Sequence, residues 1–278
     1  MTQKYSYTTT RGNNISVTTY GNENILNNSC IVIVHGFKGF KDWGFFPYTA
    51  EYFASLGFFV ITFNFSHNGI GEKKYEFTEL DKFAQNTFSL EIDELTEIVK
   101  AYAKNYFGET NNKKIGLLGH SRGGAIAMLA TKTLNEISCV ATWASVFNLD
   151  RYSERQKEEW RKKKYFSVLN TRTNQEMRLN ISLLDDLEEN IDDKLNIANA
   201  VQKLEVPLFI AHGREDLAVK LVEAEDIYNC SDKSKTELFI IENTGHTFNC
   251  VHPFEGSNEI FMNLLNRTGA FFSKNLKP

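Results

Sequence analysis

The sequence predicts an α/β fold, with a mostly parallel β-sheet covered by helices on both faces. Short apolar segments rich in β-branched residues recur along the chain, and segments with helical spacing separate most of them. Residues 4–21 instead alternate polar and apolar side chains around a Gly-Asn-Asn turn. This alternation predicts an antiparallel N-terminal hairpin at the edge of the sheet.

The individual elements follow from the spacing of apolar residues. Six segments are typical of buried strands: Ile31–Val34, Phe58–Phe65, Ile115–Leu118, Cys139–Ala144, Val206–Ala211 and Leu238–Ile241. Five segments are typical of helices: Tyr48–Leu56, Phe88–Tyr106, Ala125–Leu134, Leu217–Ile227 and Glu259–Phe272. We expect these elements to form a single domain over residues 1–278.

The connection before the Val206 strand is about sixty residues long, more than a simple crossover needs. Residues 150–166 predict a charged helix, residues 165–180 a hairpin around Thr171–Asn174, and residues 182–204 further helix. Long insertions in compact enzymes are often lids. We therefore expect a small cap insertion at about 147–200, with a solvated surface excursion as the alternative.

A candidate nucleophile lies between the Ile115 strand and the Ala125 helix. Gly119-His120-Ser121-Arg122-Gly123 matches G-x-S-x-G, in which a serine is held at the tip of a strained strand-to-helix turn. The glycines allow the helix to approach the strand closely. An ordinary Ser-Gly turn is the alternative, and partners downstream in the chain decide between the two.

A carboxylate and an imidazole follow Ser121 in the order that this turn requires. Asp216 lies just past the end of the Val206 strand and is the candidate acid, with Glu215 as the rival. His246 follows the last strand and is the candidate base, with His252 as the fallback.

The other histidines have positions that suit structural roles better. His35 and His212 each precede a glycine at a strand end, where they are expected to shape turns. His120 lies beside the candidate nucleophile and is expected to point away from it, and His67 suits the role of base less well than His252.

An oxyanion hole is expected from two backbone amides. The strand Ile31–Val34 runs into His35-Gly36, which brings the N–H of Phe37 to the sheet edge where Ser121 lies. The amide of Arg122, at a helix N-terminus, is the second donor. A flexible loop without this role is the alternative for residues 35–39.

Composition excludes several other classes of protein. The net charge of −4 gives no support for a nucleic-acid partner, and no apolar segment approaches the ~20 residues of a membrane span. The N-terminus lacks the apolar core of a signal peptide, and the four scattered cysteines suggest free thiols and no zinc site. We expect a cytoplasmic protein without nucleic-acid or membrane partners, whose oligomeric state is left open.

The motifs HGFKG, GHSRGG, HGREDLAV and TGHTF together resemble those of the α/β-hydrolase superfamily. Within it, the chain resembles small bacterial carboxylesterases of the cinnamoyl (feruloyl) esterase and dienelactone-hydrolase-like type. This resemblance implies no metal and no organic cofactor, with a cap that shapes the substrate pocket. Ser121 stands where dienelactone hydrolases have cysteine and where dehalogenases and epoxide hydrolases have aspartate.

These observations lead to a prediction of function. We expect a serine esterase that cleaves small-molecule carboxylic esters through an acyl-enzyme on Ser121. A peptidase, amidase or thioesterase with the same residues is the first alternative, and a binding module with a vestigial triad is the second. The aromatic residues Phe37, Trp143 and Trp160 are expected to contact the substrate.

Overall fold

A computed structural model describes residues 1–276 of the chain. The strands are β1 Thr2–Thr8, β2 Asn14–Tyr20, β3 Cys30–Val34, β4 Phe59–Phe63, β5 Ile115–His120, β6 Ile137–Trp143, β7 Tyr165–Asn170, β8 Gln175–Asn180, β9 Leu208–Gly213 and β10 Thr236–Ile241. The helices are α1 Phe46–Ser55, α2 Leu80–Ala84, α3 Phe88–Ala103, α4 Arg122–Ala130, α5 Glu154–Lys163, α6 Ile181–Asn190, α7 Ile197–Gln202, α8 Leu221–Cys230 and α9 Glu259–Leu276.

Eight strands form one sheet in the order β1-β2-β4-β3-β5-β6-β9-β10. The pairs β1–β2 and β2–β4 are antiparallel, and all the other pairs in this sheet are parallel. The predicted fold class is thereby confirmed, including the N-terminal hairpin. Because β3, β5, β6, β9 and β10 run in parallel, the segments that follow them meet at one edge of the sheet.

Helices cover the sheet in two sets. Helices α1 and α9 pack together against the central strands, while α3, α4, α7 and α8 form a second set of neighbours. Every residue of β3 is buried, because this strand lies between β4 and β5 and has helices from both sets against it. This burial explains its unbroken run of apolar residues.

Helix α8 begins later than the spacing of apolar residues predicts. The predicted helix Leu217–Ile227 is wrong at its start, since α8 begins at Leu221 and Leu217 is 95% exposed. The carboxylate of Asp216 accepts hydrogen bonds from the amides of Ala218 and Val219, at 2.8 and 2.9 Å. These bonds hold the segment in a turn that competes with helix.

The cap residues form a helix, a hairpin and two further helices between β6 and β9, in the predicted order. The hairpin β7–β8 is a separate two-stranded sheet. Its turn contacts the loop after β3, because the Lys38 ammonium donates to the carbonyl of Leu169 at 3.1 Å and the Arg172 guanidinium donates to the carbonyl of Lys38. Within residues 1–276, no helix has the length and apolar character needed to cross a membrane.

Candidate active site

Ser121 occupies the turn between β5 and α4 in a strained backbone conformation, with φ 58° and ψ −126°. Non-glycine residues in such regions cost of order 1–3 kcal/mol, so neighbouring contacts must hold them. The amide of Ser121 donates to the carbonyl of Trp143 at 2.9 Å. Its carbonyl accepts from the amides of Gly124 at 3.0 Å and Val146 at 3.4 Å. The end of β6 therefore fixes the position of the serine.

The glycines beside Ser121 are required by close backbone approach. A Cβ on Gly123 would lie 2.3 Å from the carbonyl oxygen of Val34, and a Cβ on Gly119 would lie 2.3 Å from that of Gly123. Neither backbone contact can give way as a flexible side chain would. The two glycines thus let α4 start directly against β3 and β5.

The loop after β3 packs directly on the serine turn. A Cβ on Gly36 would lie 2.9 Å from the Cβ of Ser121 and 3.4 Å from the amide nitrogen of Arg122. Phe37 follows Gly36, and Arg122 is the first residue of α4, whose amide has no acceptor within its helix. The two expected oxyanion donors thus belong to backbone segments in contact with each other.

His246 and Asp216 are joined by a short hydrogen bond. The His246 Nδ1 atom lies 2.7 Å from Oδ2 of Asp216. Burial raises the pKa of Asp216, but the hydrogen bond and charge of His246 outweigh it, so that the pKa of this carboxyl is lowered overall. Asp216 is therefore ionised at neutral pH and orients the imidazole, whereas the rival Glu215 is exposed.

Two further histidines surround this pair. The His212 Nε2 atom lies 2.9 Å from the carbonyl of Val219 and 3.5 Å from Oδ2 of Asp216. His120 Nε2 lies 2.9 Å from the carbonyl of His246, and burial lowers the pKa of His120 to about 3. A neutral His120 that donates to this carbonyl supports the loop carrying His246.

The remaining histidines lie apart from Asp216. His252, the fallback base, accepts from the amide of Gly44 at 2.9 Å and stacks on Trp43. His67 Nδ1 lies 2.6 Å from the hydroxyl of Ser66. Neither imidazole is paired with Asp216, so His246 is the histidine that the structure brings to this carboxylate.

His35 fastens the loop that carries Phe37. Its Nδ1 lies 2.9 Å from the carbonyl of Gly36, and its Nε2 accepts from the amide of Phe65 at 3.2 Å. Only the neutral imidazole can donate from one nitrogen and accept at the other. Burial lowers the pKa of His35 to about 4, which agrees with this neutral form.

The contribution of His35 to stability is expected to depend on pH. Its pKa is about 4 when folded and about 6.5 when unfolded. Between these values the unfolded chain binds the extra proton, so the free energy of unfolding falls as the pH drops, by up to about 3 kcal/mol. The free energy of unfolding can be measured in urea between pH 7 and 4.5. Its decrease with falling pH should be less steep in His35→Gln than in the wild type, by up to about 1.4 kcal/mol per pH unit. Parallel curves for the two proteins would contradict this role.

A cavity of about 510 Å³ opens at this edge of the sheet. Ser121, His246, Phe37 and Arg122 all line it. The apolar part of its wall includes the side chains of Trp43, Phe46, Phe88, Val146, Leu149 and Tyr152. Such a mixture of apolar walls and a few polar groups is typical of small-molecule sites.

Two expected substrate contacts are corrected by the structure. Trp143 and Trp160 are fully buried and are not part of the cavity wall. Trp143 donates to the hydroxyl of Thr268 at 3.0 Å, within the packing between β6 and α9. Trp160 lies behind Tyr152, with a ring-centroid distance of 5.0 Å, and it is Tyr152 that lines the cavity.

Arg122 connects the serine turn to α3. Its guanidinium lies between the rings of Phe37 and Phe88, at 4.1 and 4.8 Å from their centroids. One of its nitrogens lies 3.3 Å from a carboxylate oxygen of Glu91. The Arg122 side chain thus holds Phe37 in place, a role that its place in the turn motif did not predict.

Among residues 1–276, no group of three or more His, Cys, Asp or Glu side chains is arranged to hold a metal ion. All four cysteines are free thiols, including Cys230 and Cys250. The cavity brings together a serine, an imidazole paired with a carboxylate, and two backbone amides. These are the groups that acyl transfer requires.

The match to a protein-family model shows the family to which the chain belongs. The prolyl oligopeptidase family model matches residues 43–277. The chain belongs to the prolyl oligopeptidase family. None of the curated protein sequences is significantly similar to it.

Solved structures agree on the fold. The α/β hydrolase GrgF from Penicillium sp. sh18 is 15% identical with a TM-score of 0.75, and 99% of each chain is covered. Est1E from Butyrivibrio proteoclasticus, solved with ferulic acid bound, is 16% identical with a TM-score of 0.72, and the match covers 97% of this chain and 98% of that one. A Pyrococcus furiosus esterase is 20% identical with a TM-score of 0.63, and the match covers 99% of this chain and 91% of that one.

The predicted place in the α/β-hydrolase superfamily is confirmed by the family match and these structures. Membership of the prolyl oligopeptidase family also supports serine hydrolase activity for the chain. Which bond it cleaves is a separate question, because one fold accommodates many substrates.

Proposed function

We propose that the chain hydrolyses carboxylic esters through an acyl-enzyme on Ser121. His246 takes the proton of the Ser121 hydroxyl as this oxygen attacks the ester carbonyl, and then gives it to the departing alcohol. Asp216 keeps the imidazole in the required tautomer, and the amides of Phe37 and Arg122 donate to the oxyanion. Water then releases the acid by the same steps.

One observation carries this proposal. The strained Ser121 and the Asp216-bound His246 line the same cavity, with the Gly36–Phe37 loop against the serine turn. A binding module would have no need for a serine held in a conformation that costs stability. We therefore favour the hydrolase over the vestigial alternative.

Peptide hydrolysis is the second candidate, because the family is named for a peptidase. Among residues 1–276, no carboxylate lines the cavity, so the amino terminus of a short peptide would meet no counter-charge there. The apolar wall suits an uncharged acyl or aromatic group better. We expect 4-nitrophenyl butyrate to be cleaved faster than the matching anilide and thioester.

The expected location in the cytoplasm remains a prediction.

A pre-steady-state burst tests the proposal. Mixing the chain with 4-nitrophenyl acetate or butyrate should release one equivalent of 4-nitrophenol per active site before the steady state, because acylation outpaces deacylation for such activated esters. Mass spectrometry of the quenched protein should find the acyl group on Ser121. Turnover without this adduct would contradict the mechanism, and cleavage of the anilide alone would favour the peptidase.

A further inference from the structure

Four cationic side chains line the cavity, namely Lys38, Arg122, Arg151 and Arg172. No carboxylate of residues 1–276 lines it. A cation that is partly withdrawn from water, as Lys38 is, is costly unless an anion or several acceptors compensate it, whereas an exposed cation such as Arg172 is accessible to an anion from solution. The partners of each of these four charges therefore indicate whether the cavity has a site for an anion.

Two of the four charges are neutralised within the fold. The Arg122 guanidinium has Glu91 as its partner, at 3.3 Å. The Arg151 guanidinium lies 2.7 and 2.8 Å from the two carboxylate oxygens of Glu223. Because each of these two cations already has a carboxylate partner, a further anion would gain little by binding to it.

The other two charges contact only neutral groups. The Lys38 ammonium donates to the carbonyl of Leu169 at 3.1 Å. The Arg172 guanidinium donates to the carbonyl of Lys38 and lies 5.3 Å from the centroid of the Trp43 ring. Within residues 1–276, no carboxylate oxygen lies within 4.0 Å of either cation.

The fold holds the Arg172 guanidinium against the backbone of Lys38. The hydrogen bonds between the cap hairpin and the loop after β3 keep Arg172 beside Lys38, although 134 residues separate them in the chain. Burial lowers the pKa of Lys38, and the charges of Arg172 and Arg122 lower it further. An anion between Lys38 and Arg172 would relieve this repulsion.

The pair lies within reach of a small substrate on Ser121. Ser121, Lys38 and Arg172 line the same cavity. Gly36 packs against Ser121, and the Cα atom of Lys38 lies at most about 7 Å from that of Gly36, because Lys38 is two residues further along the chain. An acyl or alcohol group of a few carbons can span such a distance while its apolar part contacts the aromatic wall.

We propose that Lys38 and Arg172 bind a carboxylate of the substrate, so that the preferred esters carry a negative charge on their acyl or alcohol part. The inference rests on the proposed ester hydrolysis and narrows its substrate class. Ammonium and guanidinium groups form strong charge-assisted hydrogen bonds with carboxylates. Lys38 contributes its charge from the loop after β3, and Arg172 contributes its charge from the turn of the β7–β8 hairpin.

Two pairs of esters test this preference. Mono-4-nitrophenyl adipate is compared with 4-nitrophenyl hexanoate for the acyl side, and 4-carboxyphenyl butyrate with phenyl butyrate for the alcohol side. The measured quantity is the ratio of kcat/KM for the anionic ester to that for the neutral one. We expect this ratio to fall about tenfold in Arg172→Gln and in Lys38→Asn for at least one pair, as for the loss of one charged hydrogen bond. Asparagine is chosen because Lys38 has a φ of 53°, which asparagine tolerates.

Arg178→Gln is the matched control, because Arg178 lies on the same hairpin but outside the cavity wall and contacts Tyr165. Its ratio should equal that of the wild type. Ratios that stay unchanged in both test variants, for both pairs, would overturn the proposal. If even the neutral esters are not cleaved, ester hydrolysis itself fails, and calorimetry on Ser121→Ala then tests the cation pair alone. Tighter binding of the adipate ester than of the hexanoate ester supports the pair, and equal binding refutes it.

Discussion

The Ser121→Ala variant is expected to hydrolyse 4-nitrophenyl butyrate about 10⁴-fold more slowly than the wild-type chain, or slower still. The hydroxyl is the only group of this side chain that can form the acyl-enzyme. Without it, His246 and the oxyanion donors can assist only a direct attack by water, which is a much weaker effect. The burst of 4-nitrophenol should vanish with it.

The fold should survive this substitution. Alanine keeps the Cβ of serine, so the strain at φ 58° is the same in both proteins, and the backbone bonds to Trp143, Gly124 and Val146 do not involve the hydroxyl. The free energy of unfolding in urea should change by less than about 1 kcal/mol. A loss of activity through unfolding can therefore be separated from a loss of the nucleophile.

Ser145→Ala is the matched control. Ser145 is a buried serine just past β6, and its hydroxyl donates to the carbonyl of Val146 at 3.0 Å, outside the cavity wall. We expect turnover within a few-fold of the wild type. Ser121→Ala with turnover within tenfold of the wild type would remove Ser121 from the mechanism, and a burst that vanished equally in the control would point to a general defect.

The strand-to-helix turn at Ser121 could be predicted from sequence because its determinants are local. A buried strand, two glycines and a helix follow one another within about fifteen residues, and each contributes its own signal. The location of Ser121, Asp216 and His246 at one edge of the sheet could also be predicted, because each follows a parallel strand and the carboxyl ends of parallel strands meet at one edge. The bond between His246 and Asp216 in the structure agrees with that expectation.

The start of α8 illustrates where local signals conflict. The segment Leu217-Ala218-Val219 is apolar and favours helix in a window of sequence. In the fold, the two amides of Ala218 and Val219 are hydrogen-bonded by Asp216, whose other oxygen is bound to His246. The carboxylate of Asp216 thus decides the conformation of the backbone that follows it, and a pattern of apolar residues does not report such a polar contact.

The cavity wall could not be predicted because it depends on long-range packing. Trp143 and Trp160 have the size and apolar character of pocket residues, but the side of an element that faces the cavity is set by its neighbours. The structure instead gives this role to Tyr152, which packs in front of Trp160. The contact of Arg172 with Lys38 likewise depends on how the β7–β8 hairpin packs against the loop after β3, although Lys38 lies in the HGFKG motif and Arg172 in the predicted hairpin turn.

The Asp216→Asn variant is expected to lower kcat by about 10⁴-fold. In the wild-type chain, Oδ2 of Asp216 accepts from His246 Nδ1 at 2.7 Å, which leaves Nε2 free to take a proton. Oδ1 of Asp216 meanwhile accepts from the amides of Ala218 and Val219. Those amides can bond only to an oxygen, so the asparagine must keep its oxygen there and present its NH₂ group to His246.

This arrangement reverses the tautomer of the imidazole. A donor opposite Nδ1 makes that nitrogen an acceptor and moves the proton to Nε2, the atom that must accept the proton of Ser121. Nitrogen NMR of His246 should therefore report a protonated Nε2 in Asp216→Asn and a protonated Nδ1 in the wild type. This readout depends on the hydrogen bond itself and would not move if Asp216 only supported the loop.

Glu215→Gln separates the two neighbouring carboxylates. Glu215 is exposed, so removal of its charge should change kcat by less than about threefold and leave the His246 tautomer as it is. A large loss of kcat in Glu215→Gln with near wild-type activity in Asp216→Asn would reverse the assignment of the acid. If Asp216→Asn instead lost activity with His246 still protonated on Nδ1, the carboxylate would act by its charge on the imidazolium. The tautomer and the rate together therefore distinguish orientation of the base from stabilisation of its charged form.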